Sequence, residues 1–146
     1  MKVIVQRVKS AACFVDGKVT GEIKQGFMLL VGFTHTDDIT KCSQMARKIV
    51  NLRIFEDEAG KMNKSIKDVD GSILSISQFT LYANPYTGNR PSFIDAMKPD
   101  MATKLFDEFN SLLQTELNKT IHTGIFGADM TLTPICDGPV TIELEF

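Results

Sequence analysis

The end of the chain constrains its fold more than any other feature. Val140, Ile142, Leu144 and Phe146 alternate with Thr141, Glu143 and Glu145. A period of two, with apolar and charged residues on opposite sides, is a strand with one face on a core and the other in water. Other segments carry strand signals as well. Residues 2–8 are β-branched and apolar. Residues 11–15 and 18–23 flank Asp16-Gly17, and an Asp-Gly pair between such runs signals a hairpin. After Gly26, the unbroken apolar run Phe27-Met28-Leu29-Leu30-Val31-Gly32-Phe33 suits a strand buried on both faces. Leu52 to Phe55 reads as extended, Glu56 to Gly60 as a charged turn, and Ser72 to Leu81 as a further strand.

Helical periodicity occurs twice. Asp37 or Asp38 can cap a helix whose face holds Ile39, Cys42, Met45, Ala46 and Ile49. A second helix starts near Pro99, a favoured first-turn residue, and its stripe is Met101, Ala102, Leu105, Phe106, Phe109, Leu112, Leu113 and Leu117. Between strand and helix, residues 83–93 hold Pro85, Gly88 and Pro91 and read as a loop. Residues 121–134 are mixed and punctuated by glycine. Many strands in hairpin-like succession with two helices make an α+β fold: a largely antiparallel sheet or barrel with the helices packed against it. The 146 residues predict a single domain over 1–146. A chain of that size buries roughly two-thirds of its unfolded surface, enough for one real core.

Composition excludes several classes of function. A net charge of −2 is not that of a basic nucleic-acid coat, so any RNA contact is local. The three cysteines, Cys13, Cys42 and Cys136, are far apart and form no CxxC pair, which argues against a disulfide framework. The opening apolar run is short and is interrupted by Gln6 and Arg7, so it predicts neither a signal peptide nor a membrane span. A cytoplasmic location is expected. No GxGxxG, Walker loop or GxSxG elbow occurs. The two histidines, His35 and His122, read as ordinary surface or core residues, and no metal site is expected. A hydrolase built from this chain has to rely on backbone donors, hydroxyls and groups of its substrate, so the bond it breaks must already be activated. The ester joining an amino acid to tRNA is such a bond.

Two segments are candidates for that chemistry. Ser77-Gln78-Phe79-Thr80-Leu81 gathers three hydrogen-bonding side chains at the end of an apolar strand. Strand alternation puts Gln78 and Thr80 on one face and Ser77 and Phe79 on the other. Beside a loop these groups can meet a ligand, and backbone N–H groups where pairing stops can face a developing oxyanion. Equally, they can simply cap the strand and bond the neighbouring loop. Gly138-Pro139 precedes the last strand and by itself reads as a turn. Were its bond cis, the two flanking carbonyls would point nearly the same way and make a receptor for an ammonium group.

The chain as a whole resembles the D-aminoacyl-tRNA deacylase family of the D-tyrosyl-tRNA deacylase type. The likeness runs through Val5-Gln6-Arg7-Val8, Asn51-Leu52-Arg53-Ile54-Phe55-Glu56-Asp57 and Gly60-Lys61-Met62-Asn63. It continues through Ser77-Gln78-Phe79-Thr80-Leu81-Tyr82-Ala83, Arg90-Pro91-Ser92-Phe93, Phe126-Gly127-Ala128-Asp129-Met130 and Asp137-Gly138-Pro139-Val140-Thr141. The resemblance implies a cytoplasmic homodimer without metal or cofactor that acts on the 3′ end of aminoacyl-tRNA. Such enzymes free D-amino acids, and glycine, from mischarged tRNA.

By the same resemblance, Ser77, Gln78, Phe79 and Thr80 form the catalytic element, with the backbone N–H groups of Gln78 and Phe79 as oxyanion donors. Either Thr80 or the 2′-hydroxyl of the terminal adenosine carries the chemistry. The second is preferred, because no motif places a base beside Thr80. Gly138 and Pro139 are implied to reach into the partner's pocket as a Gly-cis-Pro motif, braced by Arg7, and to select chirality by exclusion. Phe126, Gly127, Ala128 and Met130 are implied to receive the terminal adenine. One departure stands out. Cys136 occupies a position where the family pattern has Asn, and a thiol cannot supply an amide's donor and acceptor. A non-catalytic module that binds the 3′ end of RNA is the alternative, to be separated by assaying release from D- and L-aminoacyl-tRNA.

Overall fold

A computed structural model describes residues 1–86 and 88–146. The loop expected at 83–93 includes Thr87, which lies outside the described residues; of the rest, Asn84 and Ser92 exchange backbone hydrogen bonds of 2.8 and 3.0 Å. The elements are β1 (Lys2–Val15), β2 (Lys18–Ile23), β3 (Gly26–Gly32), α1 (Ile39–Val50), β4 (Phe55–Glu56), β5 (Met62–Lys64) and β6 (Ser72–Ser77). After a 3-10 turn over Phe79–Tyr82 come α2 (Pro99–Leu117), β7 (His122–Thr123), β8 (Thr131–Leu132) and β9 (Ile135–Glu145).

β1 organises the molecule. It is one strand of 14 residues, where the sequence suggested a break near residues 9–10. Its first half pairs β3 on one side and β9 on the other, and its second half pairs β2 and β8, all antiparallel. β3 then pairs β6, and β6 pairs β7, in parallel. A parallel neighbour needs a long crossover, and the segment holding α1 and the β4–β5 hairpin supplies it between β3 and β6. β2 packs back against β6 and β7, so the sheet curls into a nearly closed barrel. The fold is therefore the α+β arrangement expected, largely antiparallel, with two parallel pairings added.

Strand alternation divides the core in two. Val3, Val5, Phe27, Leu29, Val31 and Ile73 face the helices and meet Cys42, Met45, Ala46 and Ile49 of α1 and Leu105, Phe106, Phe109 and Leu113 of α2. Val8, Cys13, Met28, Leu74 and Ile76 form a second cluster on the opposite face. The run after Gly26 is thus buried on both faces, as its continuous hydrophobicity required. Asp38 caps α1 by accepting from the Lys41 N–H at 2.9 Å, while Asp37 is buried and pairs with the Met1 ammonium at 2.6 Å. Ile39 and Met101, expected on the buried stripes, sit in the first turns of their helices and are exposed.

Two further expectations change. β6 stops at Ser77, and residues 79–82 coil into the 3-10 turn. The Gln78 N–H makes the last rung to Val31 O at 2.7 Å, and β3 ends one residue later, so no partner strand remains. β9 begins at Ile135, before Gly138-Pro139, and its apolar face is only half covered. Val140, Ile142 and Leu144 rest against the helix-side core, while Phe146 is 43% exposed.

Candidate functional site

A cavity of about 280 Å³ lies at the end of β6. Ser77, Gln78 and Phe79 form one wall, and Phe126, Gly127, Ala128, Asp129 and Met130 form the other. Two segments that the sequence singled out separately therefore meet around one space. Their positions follow from packing. Gly32, at the end of β3, lets the 3-10 turn settle against it: a Cβ there would stand 2.9 Å from Gln78 O and 3.1 Å from Leu81 Cβ. Opposite, the Phe126 ring leans on Phe106 of α2 at 6.0 Å and joins the helix-side core.

The groups available for chemistry are few. Asp129 is the only titratable side chain among the lining residues. Thr80 does not line the cavity; it is exposed, and its Oγ accepts a hydrogen bond from Gln78 Nε2 at 2.5 Å. Among the described residues no His, Lys or carboxylate side chain is hydrogen-bonded to that hydroxyl. Of the two backbone donors expected here, the Gln78 N–H is committed to Val31 O. The Phe79 N–H, at the first position of the 3-10 turn, has no acceptor among the described residues. Such first-turn donors have no partner within their own helix and are open to an anion. In the helix-side core, burial, and then the charge of Asp37, push the Cys42 thiol up to about 12.

A second, mainly apolar groove of about 690 Å³ shares Phe79, Phe126 and Gly127 with the first cavity. It is completed by His35, Phe93, Ile94, Met97 and Ala102. The sequence reading missed these residues. His35 read as an ordinary surface or core residue and Ala102 as part of a helix stripe, yet both line the groove, where His35 Nε2 lies 2.7 Å from Ile94 O. Phe79 and Phe93 meet edge to face at 5.2 Å. No signal local to any of these residues marks a groove, because it forms only when α2 and the residue 93–97 segment pack beside the 3-10 turn.

Gly138 and Pro139 are joined by a cis peptide bond and lie inside β9. The β1–β9 register runs from Gln6 opposite Thr141 to Val8 opposite Cys136. Arg7 alone therefore faces residues 137–140, and the ladder opens into a bulge with Gly138-Pro139 at its tip. Gly138 has φ +119°, and a Cβ there would meet Val140 Cγ2 at 2.9 Å and Arg7 Nη2 at 3.2 Å, so only glycine fits without displacement. Arg7 is buried within β1. Its Nε donates to Asp137 O at 3.1 Å and its Nη1 to Ile54 O at 2.5 Å, and the Asp137 carboxylate is 3.3 Å away. Cys136 is exposed beside this bulge.

Within one chain the bulge and the cavity are apart. Neither Gly138, Pro139 nor Arg7 lines the cavity at Ser77. β9 and β6 are separated by β1 and β3, about 14 Å across the sheet at ordinary strand spacing. Ser77 aligns, through Val31, with Val3, and Gly138-Pro139 with Arg7, an offset of about 13 Å along the strands. Among the described residues no cluster of three His, Cys, Asp or Glu side chains is placed to hold a metal ion. No helix there is long and apolar enough to cross a membrane.

Comparison with known proteins gives this geometry a context. A family model described as D-Tyr-tRNA(Tyr) deacylase matches residues 4–145. Among solved structures, one described as c-Myc DNA Unwinding Element Binding Protein is similar at 41% sequence identity, with a TM-score of 0.94 and coverage of 100% of this chain and 99% of that one. Another, described as a probable eukaryotic D-amino acid tRNA deacylase, shares the fold at 16% identity and a TM-score of 0.86, over 98% of this chain and 97% of that one.

Proposed function

This chain belongs to the D-Tyr-tRNA(Tyr) deacylase family, and from that premise we propose that it hydrolyses the ester bond of D-aminoacyl-tRNA and of mischarged glycyl-tRNA while rejecting L-aminoacyl-tRNA. The observation that carries this reading is the meeting of Ser77–Phe79 and Phe126–Met130 around one cavity, lined by Phe79, whose N–H has no acceptor among the described residues. In the proposed reaction water attacks the ester carbonyl, and the oxygen that gains charge accepts from the Phe79 N–H. The 2′-hydroxyl of the terminal adenosine takes the proton from water and passes one to the departing 3′-oxygen. The Gln78 amide bonded to Thr80, and the lack of a base there, support giving the proton transfer to the substrate rather than to Thr80. Phe126, Gly127, Ala128 and Met130 receive the terminal adenine, which finds apolar surface in the groove sharing Phe126 and Gly127.

Chiral selection is assigned to Gly138-Pro139 of a second copy of the chain. The separation of bulge and cavity within one chain supports a homodimer, as do the half-covered face of β9 and its outer edge, which pairs with no strand among the described residues. The motif's carbonyls hold the substrate's α-ammonium group. With ammonium, carbonyl carbon and Cα fixed, an L side chain points into the Gly-Pro backbone and a D side chain points away. Glycine has nothing to exclude. The cytoplasm, where aminoacyl-tRNA is used, is the compartment this activity needs.

The test is release of amino acid from D-Tyr-tRNA, Gly-tRNA and L-Tyr-tRNA by purified protein. Release from the first two alone is expected. Equal, background-level release from the D and L substrates would sink the proposal and favour a module that binds the RNA end without cleaving it.

A further inference from the structure

Side chains of β1 hold the bulge around Gly138-Pro139 at both shoulders. On one side stands the buried Arg7, bonded to Asp137 O. On the other, Gln6 uses both ends of its amide. Its Nε2 donates to Val140 O at 3.2 Å, and its Oε1 accepts from Thr141 Oγ at 2.5 Å. The same Nε2 reaches Arg7 O at 3.2 Å, which ties the two shoulders together.

We infer that Gln6 and Thr141 are a positioning pair that sets the stringency of chiral selection. The inference rests on the reading that Gly138-Pro139 performs the selection. Its physical basis is the open ladder. Between Cys136 and Thr141 the backbone is offset from β1, and only Arg7 lies opposite. A segment fixed at one shoulder alone swings about that point. The Gln6 amide fixes the other shoulder through a carbonyl and a hydroxyl on adjacent residues, which determines direction as well as position. D and L substrates differ only in where one side chain points, so rejection depends on where the Gly-Pro backbone stands. The groups proposed to cleave the ester lie at the end of β6 and in the 3-10 turn, away from this shoulder. Loosening this shoulder therefore admits L substrate more than it slows D substrate.

The experiment compares kcat/KM on D-Tyr-tRNA and L-Tyr-tRNA for the wild type, Thr141→Val, Thr141→Ser, Gln6→Leu and Gly138→Ala, with urea unfolding of each. Thr141→Val keeps the shape and removes the donor. Its D/L ratio, and that of Gln6→Leu, is expected to fall about tenfold, the scale of one or two hydrogen bonds. Most of that fall should come from faster L hydrolysis. A double variant, Gln6→Leu with Thr141→Val, should be no worse than Gln6→Leu alone, because Gln6→Leu already removes the bond that Thr141→Val removes. Thr141→Ser, which keeps the hydroxyl, should retain the wild-type ratio. An unchanged ratio in Thr141→Val beside an altered ratio in Gly138→Ala would overturn the pair and leave the Gly-Pro reading standing. An unchanged ratio in both would overturn the pair together with the reading beneath it. A fall of equal size in Thr141→Ser would also overturn it, since the hydroxyl would then be irrelevant.

Discussion

At the scale of single residues, the division of labour within Ser77–Thr80 matters most. The family resemblance left Thr80 and the substrate's 2′-hydroxyl as rivals for the chemistry and gave both the Gln78 and Phe79 N–H groups as oxyanion donors. In the structure Thr80 is turned to the Gln78 amide, the Gln78 N–H is bound to Val31 O, and the Phe79 N–H has no acceptor among the described residues. That outcome was not legible in the sequence, because which N–H completes the ladder depends on where β3 ends. The same holds for Arg7, whose burial depends on Ile54 and Asp137, 47 and 130 residues away in the chain. The proposed role of the Phe79 N–H gives a prediction. Phe79→Ala removes the ring and keeps the donor; Phe79→Pro removes both. Proline is tolerated at the first position of a helical turn, and Gln78, at φ −145° and ψ 78°, lies outside the helical region that a following proline forbids. The kcat for D-Tyr-tRNA is expected to be about a hundredfold lower in Phe79→Pro than in Phe79→Ala, the usual cost of an oxyanion donor. Equal rates in single-turnover measurements would assign the oxyanion to another group.

At the scale of elements, patterning was a sound guide where burial is governed by one periodicity. The unbroken run of β3 and the hairpin at Asp16-Gly17 formed, as did the stripes of α1 and α2 apart from Ile39 and Met101 in their first turns. It failed where an element's end is decided by its neighbour. β6 had the composition to continue to Leu81, yet it stops where β3 can no longer pair with it. Gly-Pro read as the boundary of the last strand, yet β9 runs through it, because β1 still pairs on both sides of the bulge. The 3-10 turn is thus a consequence of the short β3, and its seat is Gly32. Gly32→Ala puts a Cβ 2.9 Å from the Gln78 carbonyl, and backbone must move to make room. Urea unfolding should show a loss of about 1–3 kcal/mol, the range for overpacking a tight site. The kcat for D-Tyr-tRNA should fall at least tenfold, since a displacement near 1 Å can cost about a hundredfold. Wild-type turnover in this variant would show that the position of the turn does not govern catalysis.

At the scale of the whole molecule, the two segments that drew attention in the sequence lie at different ends of one sheet. The motifs gave no sign of this, because the β1–β9 and β3–β6 registers fix the separation. The cavity and the proposed selector, on the order of 20 Å apart on one sheet at standard strand dimensions, do not line one site within a single chain. They can do so if a two-fold axis brings the selector of one protomer to the pocket of the other, since isologous contacts create two equivalent sites. The consequence is testable by complementation. One subunit carries Phe79→Pro, which disables its pocket, and the other carries Gly138→Ala, which distorts its selector. If pocket and selector come from different chains, a heterodimer purified through two tags contains one fully intact site, made from the pocket of the second subunit and the selector of the first. It should show about half the wild-type rate per dimer, with wild-type discrimination, while each mutant homodimer is impaired. If both parts acted within one chain, every site in the heterodimer would carry a defect, and its activity would not exceed the mean of the two homodimers. That second result would refute the shared site even if the protein proved dimeric.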